Sequence, residues 1–251
     1  MATTYFEPTR PRVLAHRGLA LDAPENTLLA FAKAVAVGAE YLETDVHLTA
    51  DGVAVVAHDP TLERVADRDV EVSKLTMAEL RRIDLGHGQG FCSLEEALDA
   101  FPETRFNIDV KIEGAVEATV ATVAKLRAGP RVLLTSFSEG RRRRLAAYVL
   151  DAATSVGGAG VIRTRLASFT GSTRAVRSAL RGAHALQIPE RIGVVPLATE
   201  RFIAAVHRAG AEVHVWTINE PADMTGLLDL GVDGLVTDRA DLALPLIAAR
   251  N

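Results

Sequence analysis

The sequence predicts an α/β protein, a TIM-type (β/α)8 barrel with a small insertion after the second βα region. Strand and helix patterns alternate along the whole chain, as is typical of a parallel sheet covered by helices. Eight or nine segments look like strands, and no dinucleotide-binding fingerprint favours an open, doubly wound sheet instead. The 251 residues suit one barrel domain over residues 1–251.

The strand candidates are short apolar runs, several of them ended by glycine or by polar residues. They cover residues 13–16, 41–48, 53–57, 105–112, 132–137, 152–156, 185–188, 212–218 and 234–237.

Helical patterns lie between these strands. Apolar residues at positions 28, 31 and 35 share one helical face, and Asn26 or Thr27 is a suitable N-cap for that helix. Capping boxes, in which Ser or Thr is followed three residues later by Glu, begin at Thr76 and Ser93. Each capping box predicts the start of a helix.

The segment from about residue 60 to 90 interrupts the alternation. It is polar and ends in the glycine-rich stretch 86–90. We interpret it as an insertion between barrel elements and not as a second domain.

The amino-acid composition limits the classes of protein to which the chain can belong and the kinds of partner it can bind. With 48% apolar and 24% charged residues, the chain is an ordinary globular protein. A net charge of −4 and the lack of a basic stripe argue against a nucleic-acid partner. The single cysteine, Cys92, excludes an intramolecular disulfide and suits a reducing, cytoplasmic location. Residues 1–12 lack the apolar core of a signal peptide, and no apolar run is long enough to span a membrane. The sequence has no coiled-coil pattern from which an oligomeric state could be predicted.

Acidic residues cluster near the ends of two predicted strands. Glu43 and Asp45 are two residues apart, as are Lys111 and Glu113, so each pair should face one side of its strand. Buried acids are costly unless they are paired or bind a cation. Glu43, Asp45 and Glu113 therefore predict a site for one divalent cation, Ca²⁺ or Mg²⁺, with Mn²⁺ also accepted by such carboxylates.

Positive charges and histidines lie at the same strand ends. Arg17 and Lys111 beside a cation indicate a phosphate-binding site. His16 ends the first strand and His58 ends the run 53–57. Because histidine titrates near neutral pH, these two are candidates for a general acid and a general base.

The order of these motifs resembles the glycerophosphodiester phosphodiesterase family, and the resemblance spans nearly the whole chain. The matching motifs are His16-Arg17-Gly18, Pro24-Glu25-Asn26-Thr27, Glu43-Thr44-Asp45-Val46, Asp51-Gly52, His58-Asp59, Asp109-Val110-Lys111-Ile112-Glu113, Val215-Trp216-Thr217-Ile218-Asn219 and Asp233-Gly234-Leu235-Val236-Thr237-Asp238.

This resemblance implies a TIM-type barrel that hydrolyses small-molecule glycerophosphodiesters to glycerol 3-phosphate and an alcohol. It implies attack by the substrate's own glycerol hydroxyl, followed by opening of a cyclic phosphate by water. The roles it implies are metal binding by Glu43, Asp45 and Glu113, acid/base catalysis by His16 and His58, and phosphate binding by Arg17 and Lys111.

The same resemblance suggests further roles around this site. Glu25 and Asn26 match a family motif and would support the metal ligands or the turn before the first helix. Trp216 would form an apolar wall against the glycerol carbons.

Two other functions are compatible with these residues. A lysophospholipase-D-like enzyme acting on lipid phosphodiesters would need an apolar rim, and the sequence indicates none. An inactive barrel that only binds phosphodiesters would be expected to lack a histidine or an acid, and all of them are present.

Overall fold

The fold is a nearly closed barrel of eight parallel strands surrounded by helices, in a computed structural model that describes residues 3–7 and 10–250. The described residues do not include 1, 2, 8, 9 and 251. These positions belong to the amino-terminal segment 1–12 and to the two ends of the predicted domain. The strands are β1 Arg12–His16, β2 Tyr41–Leu48, β3 Ala54–Val56, β4 Thr61–Leu62, β5 Arg68–Glu71, β6 Arg105–Val110, β7 Val132–Thr135, β8 Ala153–Thr154, β9 Ala185–Pro189, β10 Arg191–Ile192, β11 Val195–Pro196, β12 Glu212–Trp216 and β13 Gly234–Thr237.

The barrel strands pair in the order β8-β7-β6-β2-β1-β13-β12-β9. A parallel bridge between Ser155 and Ala185 connects the two ends of this order, next to β8 and β9. The short strand β3 is antiparallel to β2 and is outside the barrel order. The predicted barrel is confirmed, and each of the nine predicted strands is present, with β6, β7, β8 and β12 ending two residues earlier than predicted.

The helices follow the strands in the expected alternation. Thr27 caps α1, and both predicted capping boxes are present, at α3 and α4. The helices are α1 Leu28–Ala36, α2 Glu63–Ala66, α3 Met77–Leu80, α4 Leu94–Ala100, α5 Ala115–Lys125, α6 Glu139–Tyr148, α7 Gly158–Ser168, α8 Thr173–Leu180, α9 Glu200–Arg208, α10 Pro221–Asp229 and α11 Ala240–Ala248, with short 3₁₀ turns at Val72–Lys74 and Gly129–Arg131. In the part of the chain that the structure describes, none of the helices could cross a membrane.

The insertion predicted at about 60–90 lies within the second strand–helix unit, between β2–β3 and α4, and not after that unit. The sequence pattern misplaced it because the helix that completes the unit, α4, begins only at Leu94. The insertion holds the β4–β5 hairpin, α2 and α3. It has a small apolar core of its own, which includes Leu62, Met77 and Leu80.

Side chains of the barrel strands alternate between the two faces. In β1, Val13 and Ala15 pack in the large core that includes the helices, whereas Leu14 lies with the apolar residues of the barrel interior. Arg12 and His16 share the inward direction of Leu14, since the side-chain period of a strand is two residues. β1 therefore presents a cation, an apolar residue and a histidine in turn inside the barrel.

The amino-terminal end of the barrel is closed by a buried polar network. The Arg12 guanidinium donates hydrogen bonds to both carboxylate oxygens of Glu212, at 2.8 and 2.9 Å, and to the Tyr41 hydroxyl at 2.7 Å. The Tyr41 hydroxyl in turn donates to the carbonyl oxygen of Tyr5. Burial opposes ionisation of Glu212, but hydrogen bonds from Arg12 and His214 outweigh it and lower the pKa of Glu212 to about 2.

We expect Glu212→Gln to lower the free energy of unfolding by about 3 kcal/mol at pH 7. The depressed pKa stabilises the fold above the unfolded-state pKa, and this stabilisation is lost as the pH falls through the folded-state pKa. The difference between the two proteins should therefore shrink to about half at pH 3. Urea unfolding at both pH values measures this difference in the free energy of unfolding, and the variant Glu40→Gln at an exposed position is the control. An equal difference at pH 7 and pH 3 would contradict this account.

Candidate active site

Three neighbouring strands bring two of the predicted acids, a third acid and one predicted histidine to the carboxyl end of the barrel. The register places His16 of β1 beside Glu43 of β2, and Asp45 of β2 beside Asp109 of β6. These residues line one cleft, together with His58. Since catalytic residues of such barrels lie at the carboxyl ends of the strands, this cleft is the candidate active site.

The carboxylates of this cleft are buried and close to one another. Glu43, Asp45 and Asp109 are each less than one-tenth exposed. Burial, and then the negative charge of Asp45, raise the pKa of Glu43 to about 8. Burial also raises the pKa of Asp109, although Lys111 opposes this shift. Glu43 and Asp109 therefore resist ionisation in the structure as it stands, and added positive charge in the cleft would favour their charged forms.

Lys111 follows β6 and lies between two of these carboxylates. Its Nζ is 2.7 Å from Asp45 Oδ1 and 2.7 Å from Asp109 Oδ2. Burial raises the pKa of Asp45, but the positive charge of Lys111 outweighs it, and the net shift is downward. Lys111 also lines the cleft, so its charge is available to a bound anion.

Glu113 lies outside this cluster, which corrects its predicted place beside Glu43 and Asp45. Its carboxylate pairs with Arg144 and approaches Arg141 at 3.7 Å, and its side chain is 54% exposed. The physical reason is that β6 ends at Val110, so the alternation that relates positions 109 and 111 does not extend to 113. Asp109 is the acid that β6 brings to the cleft.

His16 is held by a carboxylate from the last barrel strand. Its Nδ1 is 2.7 Å from Asp238 Oδ1, and Asn219 donates a hydrogen bond of 2.7 Å to Asp238 Oδ2. Because an ionised carboxylate only accepts, this bond places a proton on Nδ1. The Nε2 atom is on the other side of the ring, 3.9 Å from Glu43. Burial lowers the pKa of His16, but Glu43 and Asp238 outweigh it and raise the pKa overall.

His58 has the same arrangement with the residue that follows it. Its Nδ1 is 2.7 Å from Asp59 Oδ1, which again leaves Nε2 for another partner. Arg64 of the insertion holds Asp59 through a 2.6 Å bond and holds both oxygens of Glu25 at 2.6 and 2.9 Å. A smaller cavity of about 210 Å³ lies beside these residues. The insertion thus fixes the surroundings of one histidine.

The turn after β1 carries Arg17 in a left-handed conformation, with a φ of 57°. The Arg17 backbone N–H donates to Glu43 Oε2 at 3.2 Å, and its guanidinium donates to Glu25 at 3.0 Å. Gly18 follows with a φ of 87°, and a Cβ there would lie 2.6 Å from the Ala30 backbone. Only glycine fits this approach, which explains the glycine of the His-Arg-Gly motif.

Asn26 supports Asp45 from the loop before α1. Its side-chain amide donates to Asp45 Oδ2 at 3.1 Å, and its carbonyl oxygen accepts a 2.8 Å bond from the Thr44 hydroxyl. Asn26 is buried and has a left-handed φ of 57°, which asparagine tolerates better than most residues. Thr44 therefore contributes indirectly, although it points away from the cleft.

The opposite side of the cleft is apolar. Trp216 lines it and meets Phe137 edge-to-face, with ring centroids 5.9 Å apart. Val161, Ile162, Ile192 and Leu197 also line the cleft, whose volume is about 480 Å³. The sequence indicated no apolar rim, and the structure corrects this because the rim comes from several separate segments.

The acidic side of the cleft has the oxygen donors that a divalent cation prefers. Within the described residues, Asp109 Oδ1 is buried without a hydrogen-bond partner, and buried carboxylates in excess attract hard cations. No three Asp, Glu, His or Cys side chains in residues 3–7 and 10–250 converge as a ready-made metal site, and the Lys111 ammonium lies between two of the carboxylates instead. Glu43, Asp45 and Asp109 are the chemically suitable ligand set.

Four of the residues in this network were not singled out by sequence reasoning. Asp109 is two positions before Lys111, so strand alternation could have identified it. Asp59 and Asp238 end recognised motifs, but their hydrogen bonds to histidine depend on side-chain conformation. Arg64 carries no local signal, because its partners are 5 and 39 residues away.

The chain is similar in sequence to known glycerophosphodiester phosphodiesterases. The sequence model of the glycerophosphoryl diester phosphodiesterase family matches residues 16–242. A protein from Mycobacterium tuberculosis named probable glycerophosphodiester phosphodiesterase 2 is 40% identical over 239 residues, which cover 94% of this chain and 90% of that protein.

Solved structures show the same fold. A glycerophosphodiester phosphodiesterase from Agrobacterium tumefaciens has a TM-score of 0.77 and 26% identity, covering 94% of this chain and 99% of that one. An Oleispira antarctica phosphodiesterase in complex with the product sn-glycerol-3-phosphate has a TM-score of 0.77 and 25% identity, covering 95% and 97%. The chain belongs to the glycerophosphoryl diester phosphodiesterase family of enzymes.

Proposed function

We propose that this enzyme hydrolyses glycerophosphodiesters to glycerol 3-phosphate and an alcohol with the help of one divalent cation. The observation that carries the proposal is a single cleft in which two carboxylate-bound histidines, His16 and His58, lie with three buried acids. The product named for the Oleispira antarctica phosphodiesterase supports this substrate class.

Glu43, Asp45 and Asp109 would hold the cation, which would supply positive charge to the phosphoryl oxygens as negative charge develops on them. Asn26 would keep Asp45 oriented through its 3.1 Å hydrogen bond. Ca²⁺, Mg²⁺ and Mn²⁺ all accept a carboxylate set of this kind. Lys111 and Arg17 line the same cleft and would bind the phosphate through charge-assisted hydrogen bonds.

The two histidines would move the protons. In the first step the substrate's glycerol hydroxyl forms a bond to phosphorus while the bond to the leaving alcohol breaks. One histidine takes the hydroxyl proton at Nε2 and the other gives a proton to the departing oxygen. In the second step water opens the cyclic phosphate, and the two histidines exchange roles. Asp238 and Asp59 would hold the rings through Nδ1 and leave Nε2 of each histidine for the proton transfer.

A barrel that only binds phosphodiesters is less well supported. Binding alone requires positive charge, whereas this cleft also has two histidines that each have a carboxylate on Nδ1, an arrangement suited to proton transfer. We also propose a cytoplasmic location, since the one thiol of the chain, Cys92, is buried and suits a reducing compartment.

We expect protein stripped of metal to release no glycerol 3-phosphate from glycerophosphocholine, and added Ca²⁺, Mg²⁺ or Mn²⁺ to restore the release. Glu43→Ala should stay inactive at every metal concentration, because it removes one proposed ligand. An enzyme-coupled assay of glycerol 3-phosphate measures both, and circular dichroism confirms that the variant is folded. Full activity in the presence of excess chelator would contradict the metal dependence.

A further inference from the structure

Helix α7 exposes the side that a surface helix normally buries. Its buried residues Gly160, Thr164 and Ser168 are small, and two of them are polar. Leu166 and Phe169 lie on the opposite side of the helix and are 62% and 59% exposed. The apolar stripe of a surface helix ordinarily packs against the core, so a stripe that points outward indicates a surface for a partner.

The same side of the barrel is strongly basic. Residues 139–181, which include α6, α7 and α8, hold nine arginines and two acidic residues, although the whole chain has a net charge of −4. Helices α6 and α8 both pack beside α7. We call the outer surface of these three helices the α6–α8 face and define it by the exposed residues Arg143, Tyr148, Leu166, Phe169, Arg174 and Arg177.

The positive charge of the α6–α8 face is not neutralised by neighbouring acids. Among the residues that the structure describes, carboxylates pair with Arg142, Arg144 and Arg163 but with none of the three arginines that define the face. Burial, and then the positive charge of Arg181, lower the pKa of Arg163, although Glu139 opposes the shift. Positive charge that accumulates in this way attracts an anionic partner.

A second copy of this chain and a nucleic acid both match this face less well. In a symmetric pair, the arginines of one copy would meet the arginines of the other. A nucleic acid would bring its phosphates against the apolar side chains of Leu166 and Phe169. One face of the Phe169 ring is also covered by the Arg165 guanidinium, 4.9 Å from the ring centre, and is closed to a stacking base.

The surface of a bilayer that contains anionic lipids matches both features of the face. The lipid phosphates would attract the arginines, and the apolar side chains that project from the helices would enter between the headgroups. Neither Leu166 nor Phe169 lines the catalytic cleft or the smaller cavity, so this contact does not involve the active site.

We propose that the α6–α8 face binds the enzyme peripherally to a bilayer that contains anionic lipids. The inference concerns where the enzyme works and not what it hydrolyses, so it does not depend on the proposed function. It is compatible with a cytoplasmic location, because the cytoplasmic leaflet of a membrane carries anionic lipids.

The test is co-sedimentation of the full chain with vesicles of two compositions, phosphatidylcholine alone and an equimolar mixture of phosphatidylcholine and phosphatidylglycerol. We expect the protein to sediment with the mixed vesicles and to remain in the supernatant with phosphatidylcholine alone. The bound fraction should fall as the salt concentration rises, since salt screens the attraction between arginines and lipid phosphates.

Two double variants locate the contact on the α6–α8 face. Arg143→Gln, Arg174→Gln should lower the partition coefficient into the mixed vesicles roughly tenfold or more, since each arginine near an anionic surface contributes severalfold. Leu166→Ser, Phe169→Ser should lower it about tenfold, because two apolar side chains lose their favourable transfer from water. Thermal unfolding confirms that each variant is folded.

Matched controls change the same kinds of residue elsewhere. Arg68→Gln, Arg82→Gln removes the same charge from exposed positions of the insertion. Leu21→Ser removes a side chain that is 53% exposed in the loop before α1. Both controls should bind the mixed vesicles like the unchanged protein. None of these variants alters the catalytic cleft, so all should hydrolyse glycerophosphocholine at the unchanged rate when no vesicles are present.

Equal sedimentation with both kinds of vesicle, or unchanged binding by the two double variants of the face, would overturn the proposal. Binding of duplex DNA that Arg143→Gln, Arg174→Gln abolishes, without any sedimentation with vesicles, would identify a nucleic-acid surface instead. A dimer in sedimentation velocity that Leu166→Ser, Phe169→Ser dissociates would show that a second copy covers the face.

Discussion

Replacing His16 or His58 with alanine should lower kcat for glycerophosphodiester hydrolysis by about 10²–10⁴-fold, because each positioned proton transfer contributes an acceleration of that size. Both imidazoles face the cleft, and each has a carboxylate at 2.7 Å from Nδ1. The double variant should be little slower than the slower single variant, since the two act on one transition state. Steady-state kinetics with saturating metal measures kcat and KM separately.

His87→Ala is the control for this pair. His87 is an exposed histidine of the insertion that lines neither cavity, so its removal should leave kcat within about twofold. Near-normal turnover by His16→Ala or His58→Ala, from protein with unchanged circular dichroism, would contradict the acid/base assignment.

Asp109→Ala should abolish the metal-activated reaction, with a fall in kcat/KM of at least about 10²-fold, whereas Glu113→Ala should stay within about threefold of the unchanged enzyme. Asp109 is buried beside Asp45 and is one of the three acids proposed to hold the cation. Glu113 is half-exposed and paired with arginines outside the cleft. Titration of activity with Mg²⁺ and Ca²⁺ measures both variants.

Asp109→Asn is a more conservative companion to this test. It keeps the size of the side chain and a hydrogen-bonding oxygen but removes the charge, so it should raise the metal concentration needed for half-maximal activity. Thermal unfolding of each variant separates a damaged fold from a damaged site. A large loss of metal-activated activity in Glu113→Ala, with the activity of Asp109→Ala unchanged, would show that the third ligand is Glu113.

Local sequence patterns were sufficient to predict the architecture of the barrel. Nine apolar runs identified nine strands, and the two capping boxes identified the starts of α3 and α4, because the period of side chains and the cap hydrogen bonds depend on residues close in sequence. The same alternation correctly placed Glu43 and Asp45 on one face of β2. Strand ends were less accurate, since pairing with a neighbouring strand decides where a strand stops.

The error in the end of β6 led to the wrong acid being predicted for the cleft. Extending β6 to residue 112 made Glu113 look like a neighbour of Lys111, whereas the strand ends at Val110 and the acid facing the cleft is Asp109. The insertion was recognised but placed after the second strand–helix unit, because its own short elements hide the distant helix α4 that completes that unit.

Short motifs and the two-residue period of a strand were sufficient to predict the barrel, the family and the positions of His16, His58, Glu43 and Asp45 at strand ends. The partners of these side chains depend on tertiary contacts. Asp238 meets His16 across 222 positions of sequence, and Arg64 reaches Glu25 across 39. The apolar side of the cleft likewise joins Phe137, Ile162 and Ile192 from three separate segments. Such contacts arise when closure of the barrel brings distant strand ends together, and no local pattern encodes them.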